Sequence, residues 1–141
     1  MRVLLLIFIL LSTRLRAQEP SFYFEKRTVQ NGLSHNKVNC ILQDRRGFMW
    51  IGTDDGLNRY DGSQFIPFRH RPGDSTSISG NIITDLLEDK AGMLWVATAD
   101  GGLSRYDFRA APQQQFKQYK HIPGNPASIP VNSINSMLED R

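Results

Sequence analysis

Cysteine is almost missing from this sequence: Cys40 is the single one among 141 residues. No disulfide can form within the chain. Cys40 alternates with apolar neighbours in Val38-Asn39-Cys40-Ile41-Leu42, so it reads as a small buried apolar side chain. Long apolar runs are scarce too. The longest, Val3 to Leu11, is far short of the roughly 20 residues a helix needs to cross a bilayer. An amphipathic stripe at 3.6-residue spacing is lacking, and Gly or Asp-Gly recurs every 8–12 residues, which excludes a helical repeat. His35, His70 and His121 lack metal-ligand spacing. No P-loop, nucleophile elbow or phosphorylatable histidine box is present, so neither a metal nor another cofactor is expected.

The apolar start has its own meaning. Met1-Arg2, the run Val3 to Leu11, and Ser12-Thr13-Arg14-Leu15-Arg16-Ala17 describe a secretory signal peptide over residues 1–17, with cleavage expected after Ala17. Three of the 17 Lys and Arg residues lie in it and none of the 14 acids do. The remainder therefore carries no net charge. A nucleic-acid partner, which needs a dense basic footprint, is not expected.

What the sequence does hold is a repeat. Asn36–Asp61 aligns with Asn81–Asp107, with one gap at Gly102 and 12 of 26 positions identical. Among the shared positions are the pairs Asp44/Asp89, Gly47/Gly92, Trp50/Trp95, Thr53/Thr98, Gly56/Gly101, Arg59/Arg105 and Tyr60/Tyr106. A third copy begins at Asn132 and runs to Arg141. The connectors recur as well: Arg71–Ile78 matches Ile122–Ile129, and Asn31-Gly32-Leu33-Ser34 ends a shorter version.

Each unit contains four β-prone runs divided by turn chemistry. In the first unit these are Val38–Gln43, Phe48–Thr53, Leu57–Tyr60 and Gln64–Arg69. In the second they are Ile82–Glu88, Met93–Thr98, Leu103–Tyr106 and Phe116–His121, with a longer loop, Phe108–Gln114, before the last. Asp at the first and Gly at the fourth position of Asp44–Gly47 and Asp89–Gly92 suit a type I turn. Phe48-Met49-Trp50-Ile51 and Met93-Leu94-Trp95-Val96 are apolar on both faces, which implies a sheet covered on both sides. Sheets stacked face to face around an axis meet that condition. The expected fold is all-β: a β-propeller fragment of about two four-stranded antiparallel blades plus the start of a third. The expected divisions are a closing strand and connector over 22–35, a first blade over 36–80, a second over 81–131, and a truncated third over 132–141. Gly52 and Ala97 mark a small position where the neighbouring blade can approach. Phe22–Val29 is expected to act as an outermost strand that closes the ring.

These units resemble the two-component regulator propeller repeat. The resemblance rests on Asn36, Asn81 and Asn132 as repeat starts, on Asp44 to Thr53 and Asp89 to Thr98, on Asp55 to Asp61, and on the Pro-Gly-Asp/Asn connector. It implies the N-terminal periplasmic region of a hybrid two-component sensor histidine kinase of Bacteroidetes type. The resemblance further implies that the remaining blades, an immunoglobulin-like domain, a membrane helix and a kinase core follow in the full-length protein. A homodimer and an oligo- or polysaccharide ligand are implied in the same way. This chain itself is expected to be no enzyme.

Candidate residues are read as structural. Trp50 and Trp95 recur at one place, which favours core over sugar stacking. Arg59-Tyr60-Asp61 and Arg105-Tyr106-Asp107 suggest an arginine–carboxylate pair between strands. Asp54-Asp55-Gly56 and Asp100-Gly101-Gly102 are turns, since neither has the ligand pattern of a calcium loop. No residue is assigned to a ligand. An exported propeller lyase or glycosidase would need paired carboxylates at one mouth. It stands as the alternative, beside a scaffold with no signalling role.

Overall fold

The computed structural model describes residues 23–140. The proposed signal peptide lies outside the described residues. Two four-stranded antiparallel sheets follow one another along the chain. The first contains β1 (Val38–Gln43), β2 (Met49–Thr53), β3 (Gly56–Tyr60) and β4 (Phe65–Phe68). The second contains β5 (Ile83–Glu88), β6 (Leu94–Thr98), β7 (Leu103–Tyr106) and β8 (Phe116–Tyr119). Strand order in each sheet equals chain order. The fold is all-β and of propeller type, with each sheet one blade.

The register is the same in both blades. Trp50 lies opposite Leu42 and Arg59, and Trp95 lies opposite Leu87 and Arg105. The first pairing of each blade carries an irregularity at the same place, between Val38 and Cys40 and between Ile83 and Asp85. An inserted residue of this kind re-aims its side chain. The two residues concerned are Asn39 and Thr84. Asn39 donates to Ile83 O of the next sheet at 2.9 Å, and Thr84 donates to Ile134 O at 2.5 Å.

The core lies between the sheets. Trp50 and Leu57 of the first blade are buried against Ile83, Leu86, Val96, Tyr106 and Phe116 of the second. Trp50 meets Tyr106 edge-on at 5.1 Å, and Phe68 meets Phe116 at 5.3 Å, both favourable aromatic geometries. Burial of the second strands differs between their two faces: one is sealed and the other half-open. In β2, Trp50 faces the sheet interface and is fully buried, while Ile51 is half-buried. In β6, Val96 is fully buried and Trp95 is half-buried. The face lying between the blades is the sealed one in each case.

Gly52 behaves as expected. A Cβ placed there would meet Cys40 Sγ and come within 2.6 Å of Ile83 Cγ2 from the second blade. Cys40 itself is half-buried against the core cluster. Burial pushes its thiol up to about 11, with the Asp85 charge adding to that and the Gly52 N–H opposing it.

One expectation needs correction. Gly101 is not the counterpart of Gly56. Gly56 (φ +113°) donates its N–H to Asn81 O, and its own carbonyl accepts from the Thr53 hydroxyl. Gly102 (φ +91°) does the same with Asn132 O and Thr98. Gly101 instead matches Asp55, since both donate to that threonine hydroxyl. The extra residue thus sits inside the turn, and the left-handed position stays at its end, where only glycine is comfortable. Residues 23–28 pair with neither of the two sheets. Val29–Asn31 is a 3-10 turn, capped by Thr28 and Asn31.

Candidate functional site

Antiparallel alternation sorts the loops to two ends. One end holds the turns Asp44–Gly47, Asp61–Gln64, Asp89–Gly92 and the loop 107–115. The other holds the β2–β3 and β6–β7 turns and the long connectors between blades.

At the turn end the repeated Asp and Trp are partners. Asp44 Oδ1 accepts the N–H groups of Arg46 and Phe48 at 2.9 and 3.0 Å, and Oδ2 accepts the Trp50 indole N–H at 2.8 Å. Asp89 accepts Met93 N–H and the Trp95 indole N–H, both at 2.8 Å. Burial alone would raise the Asp89 carboxyl. The Trp95 bond, the Met93 and Ala91 N–H groups and the nearby Arg105 outweigh it and hold it below its ordinary range. Gly47 (φ +89°) and Gly92 (φ +77°) complete these turns with positive φ. One motif, Asp-x-x-Gly-x-x-Trp, therefore builds a turn and pins the indole through the same carboxylate.

The arginine–carboxylate pair expected at Arg59 and Arg105 does not form. Neither residue belongs to any ion pair among the described residues. Arg59 lies over the Phe48 ring at 4.9 Å and donates to Tyr106 Oη at 3.4 Å. Its Nε and that of Arg105 are buried without a hydrogen-bond partner. The register places Arg59 across from Trp50, beside aromatic faces that take its guanidinium. Tyr60 donates to Gly62 O at 2.7 Å across its own turn.

The loop 107–115 leans from the second blade onto the first. The Arg46 guanidinium lies 3.2 Å from the centre of the Phe108 ring. Arg109 pairs with Asp107 at 3.1 Å, and Arg45 donates to Asp89 O and Lys90 O. The turn acids are committed to their own turns: Asp61 Oδ1 accepts from Ser63 and Gln64, and Asp107 Oδ1 accepts from Arg109. Asp61 is held down to about 2, first by the Gln64 and Ser63 N–H bonds. Among the described residues no group of three or more His, Cys, Asp or Glu could hold a metal ion.

At the connector end the repeated asparagines explain themselves. Asn36, Asn81 and Asn132 each accept through Oδ1 from a backbone N–H seven or eleven residues upstream: Val29, His70 and His121, at 3.0, 2.8 and 2.7 Å. His70 Nδ1 and His121 Nδ1 lie 2.8 and 3.0 Å from Ile78 O and Ile129 O, to which they donate. Sequence reasoning found these asparagines by their recurrence. It missed the bulge residues Asn39 and Thr84, whose side chains differ and carry no repeat signal. It also missed the Arg46–Phe108 contact, because Phe108 has no counterpart in the first unit.

With this geometry in view, similarity to known proteins can be placed. Residues 32–55 and 77–100 match the family described as two component regulator propeller. Those two stretches carry two-component regulator propeller repeats. Both matches span a connector end, the Asp-x-x-Gly-x-x-Trp turn and the beginning of the next turn. The propeller repeats are 46% identical over 74 residues to histidine kinase P4 of Formosa agariphila, covering 52% of this chain and 5% of that protein. They also superpose on the extracellular domain of the putative hybrid two component system BT3049 of B. thetaiotaomicron. There the TM-score is 0.68 at 32% identity, over 77% of this chain and 15% of that one. The extracellular domain of the putative one component system BT4673 of the same organism gives 0.51 at 30% identity, over 70% and 14%. The chain thus spans a small part of each relative.

Proposed function

We propose that the chain is the N-terminal periplasmic propeller portion of a two-component sensor, a hybrid histidine kinase responding to glycan-type ligands. The observation that carries this reading is the stacked pair of propeller repeats, alike in sequence and geometry to extracellular regions of hybrid two-component systems. The apolar start of the sequence supports export. The chain contributes blades and ligand-facing loops and performs no chemistry. Signalling belongs to downstream kinase segments, and ligand binding biases the geometry those segments receive. The full-length sensor acts as a homodimer.

Residues 24–28 complete the ring in this reading. Val29 N–H bonds Asn36 as His70 bonds Asn81 and His121 bonds Asn132. That equivalence supports the reading of Phe24–Thr28 as the counterpart of β4 and β8, the outer strand of a blade whose other strands come from elsewhere in the protein. Tyr23 and Phe24 are about nine-tenths exposed here, as fits a segment awaiting that blade.

The test is to read the gene beyond codon 141 and follow the regulon. Further repeat copies, then a membrane helix and a kinase, are expected. Deletion of the repeats should abolish transcriptional induction by the cognate glycan. A gene that closes without a kinase, or induction that survives the deletion, would overturn the sensor role.

A further inference from the structure

The two long connectors are internally alike and differently covered. In Arg71–Ile78, Thr76 N–H donates to Asp74 Oδ1 at 2.8 Å, Arg71 N–H donates to Ser77 Oγ at 3.0 Å, and Ser77 Oγ–H donates to Asp74 O at 2.9 Å. In Ile122–Ile129, Ala127, Ile122 and Ser128 make the same bonds to Asn125 Oδ1, Ser128 Oγ and Asn125 O, at 3.0, 3.0 and 2.9 Å. The first connector is nonetheless sealed. Ser77 and Ile78 are buried there, whereas Ser128 and Ile129 are half-buried.

The second blade covers the first connector: Ile78 belongs to the core between the sheets, and one side chain of that blade also bonds the connector's backbone. Gln118, on the outermost strand of the second blade, points its amide at the connector that enters that blade. Its Nε2 lies 3.2, 2.9 and 3.3 Å from Asp74 O, Ser77 O and Ile78 O. Both connectors share internal donors to these carbonyls, Ser77 and His70 in the first and Ser128 and His121 in the second. Among the described residues, only the first has a carboxamide from the following blade in addition. Beside the second connector lies a hollow of about 440 Å³ lined by His121, Ile122, Asn125, Pro126, Ile129 and neighbours.

We propose that this hollow is the seat of the outer strand of a following blade, and that a side-chain carboxamide on that strand latches Asn125 O, Ser128 O and Ile129 O as Gln118 latches the first connector. The hollow is then an assembly surface, its occupant a repeat copy and not a saccharide. The start of the third copy already docks in the corresponding way. Gly102 N–H donates to Asn132 O as Gly56 N–H donates to Asn81 O. Lys90 N–H meets Glu139 Oε1 at 3.1 Å as Arg45 N–H meets Glu88 Oε2 at 3.0 Å. The inference rests on the reading that further blades follow this chain.

Amide hydrogen exchange tests it. In the full chain, Ser77 and Ser128 donate to equivalent carbonyls at 3.3 and 3.1 Å, so any rate difference reports cover. The Ser77 amide should exchange at least about tenfold more slowly, and Gln118→Met should remove most of that difference. Equal rates, or a Gln118→Met variant that exchanges like the parent, would overturn the latch. A second protein replaces residues 132–141 with another copy of residues 81–131. The Ser128 amide should slow by about tenfold, and Gln→Met at the added copy's latch position should reverse it. An added copy that buries Trp95 while Ser128 still exchanges freely overturns the latch but leaves the propeller reading standing. An added copy that leaves Trp95 half-exposed overturns both. Slowing of Ser128 in the parent chain by neutral or uronic-acid hexasaccharides would assign the hollow to a saccharide and defeat the proposal.

Discussion

At the residue scale, Asp44 and Asp89 show how one carboxylate can hold a turn and an aromatic core residue together. The Trp50 indole N–H is buried and bonded to Asp44, whose own side chain is 2% exposed. Asp44→Ala strands that indole and two turn N–H groups, and should destabilise the chain by about 1–3 kcal/mol in urea unfolding. Asp89→Ala should cost less, because Trp95 is half-exposed and water can replace the lost acceptor. Much of the Asp44→Ala cost should vanish in a Trp50→Phe background, and equal costs in both backgrounds would break the link. The turn acids also set an acid response. Asp61 and Asp74 are lowered from 3.8 to about 2, Asp61 first by its N–H bond from Gln64 and Asp74 first by the Thr76 hydroxyl. A carboxyl lowered by folding stabilises the folded state when ionised. That contribution is complete above about pH 4 and is lost as pH falls through 2. Thermal unfolding should therefore show stability declining from pH 4 to 2, and Asp61→Asn with Asp74→Asn should flatten the decline. Asn125 already serves at the position of Asp74, so the substitution keeps the turn.

At the element scale, the sheets meet through strands placed for close approach. Gly52 on β2 touches Ile83 on β5, and an added methyl group has nowhere to go. Gly52→Ala should cost about 1–3 kcal/mol by overpacking, measured by denaturant unfolding. The reverse change at the equivalent position, Ala97→Gly, should cost about 0.5–1 kcal/mol, the ordinary effect of glycine in a strand. Equal effects would show that the blade interface does not discriminate at this position. The bulge in β1 and β5 belongs to the same design. It turns Asn39 and Thr84 out of the pleat, so that each blade hydrogen-bonds the start of the next repeat copy.

At the scale of the whole molecule, burial follows position in the stack. Trp50 lies under Tyr106 of the next blade, while the ring contact of Trp95 is with Tyr119 of its own. Single-tryptophan variants should separate them. With Trp95→Phe the remaining Trp50 should resist acrylamide quenching, and with Trp50→Phe the remaining Trp95 should be quenched readily. Comparable quenching would mean that the two sheets do not stack as described. In the proposed sensor, the open face beside Trp95 would meet the next blade, since each blade of a repeat array contacts only its neighbours.

The amino-acid sequence alone determined the repeat, the four strands per unit and the Asp, Gly and Trp positions, because turn chemistry and two-sided apolar strands leave a local imprint. Connector asparagines were visible as recurrences, though their bond to an upstream N–H was not. Tertiary structure decided the rest. Whether Arg59 meets a carboxylate or an aromatic face depends on what the neighbouring strand and blade place beside it. The pairing of Gly56 with Gly102, in place of Gly101, depends on which residue must turn left-handed under the next connector. The Gln118 contacts join residues 40 or more positions apart, and no local pattern encodes that distance.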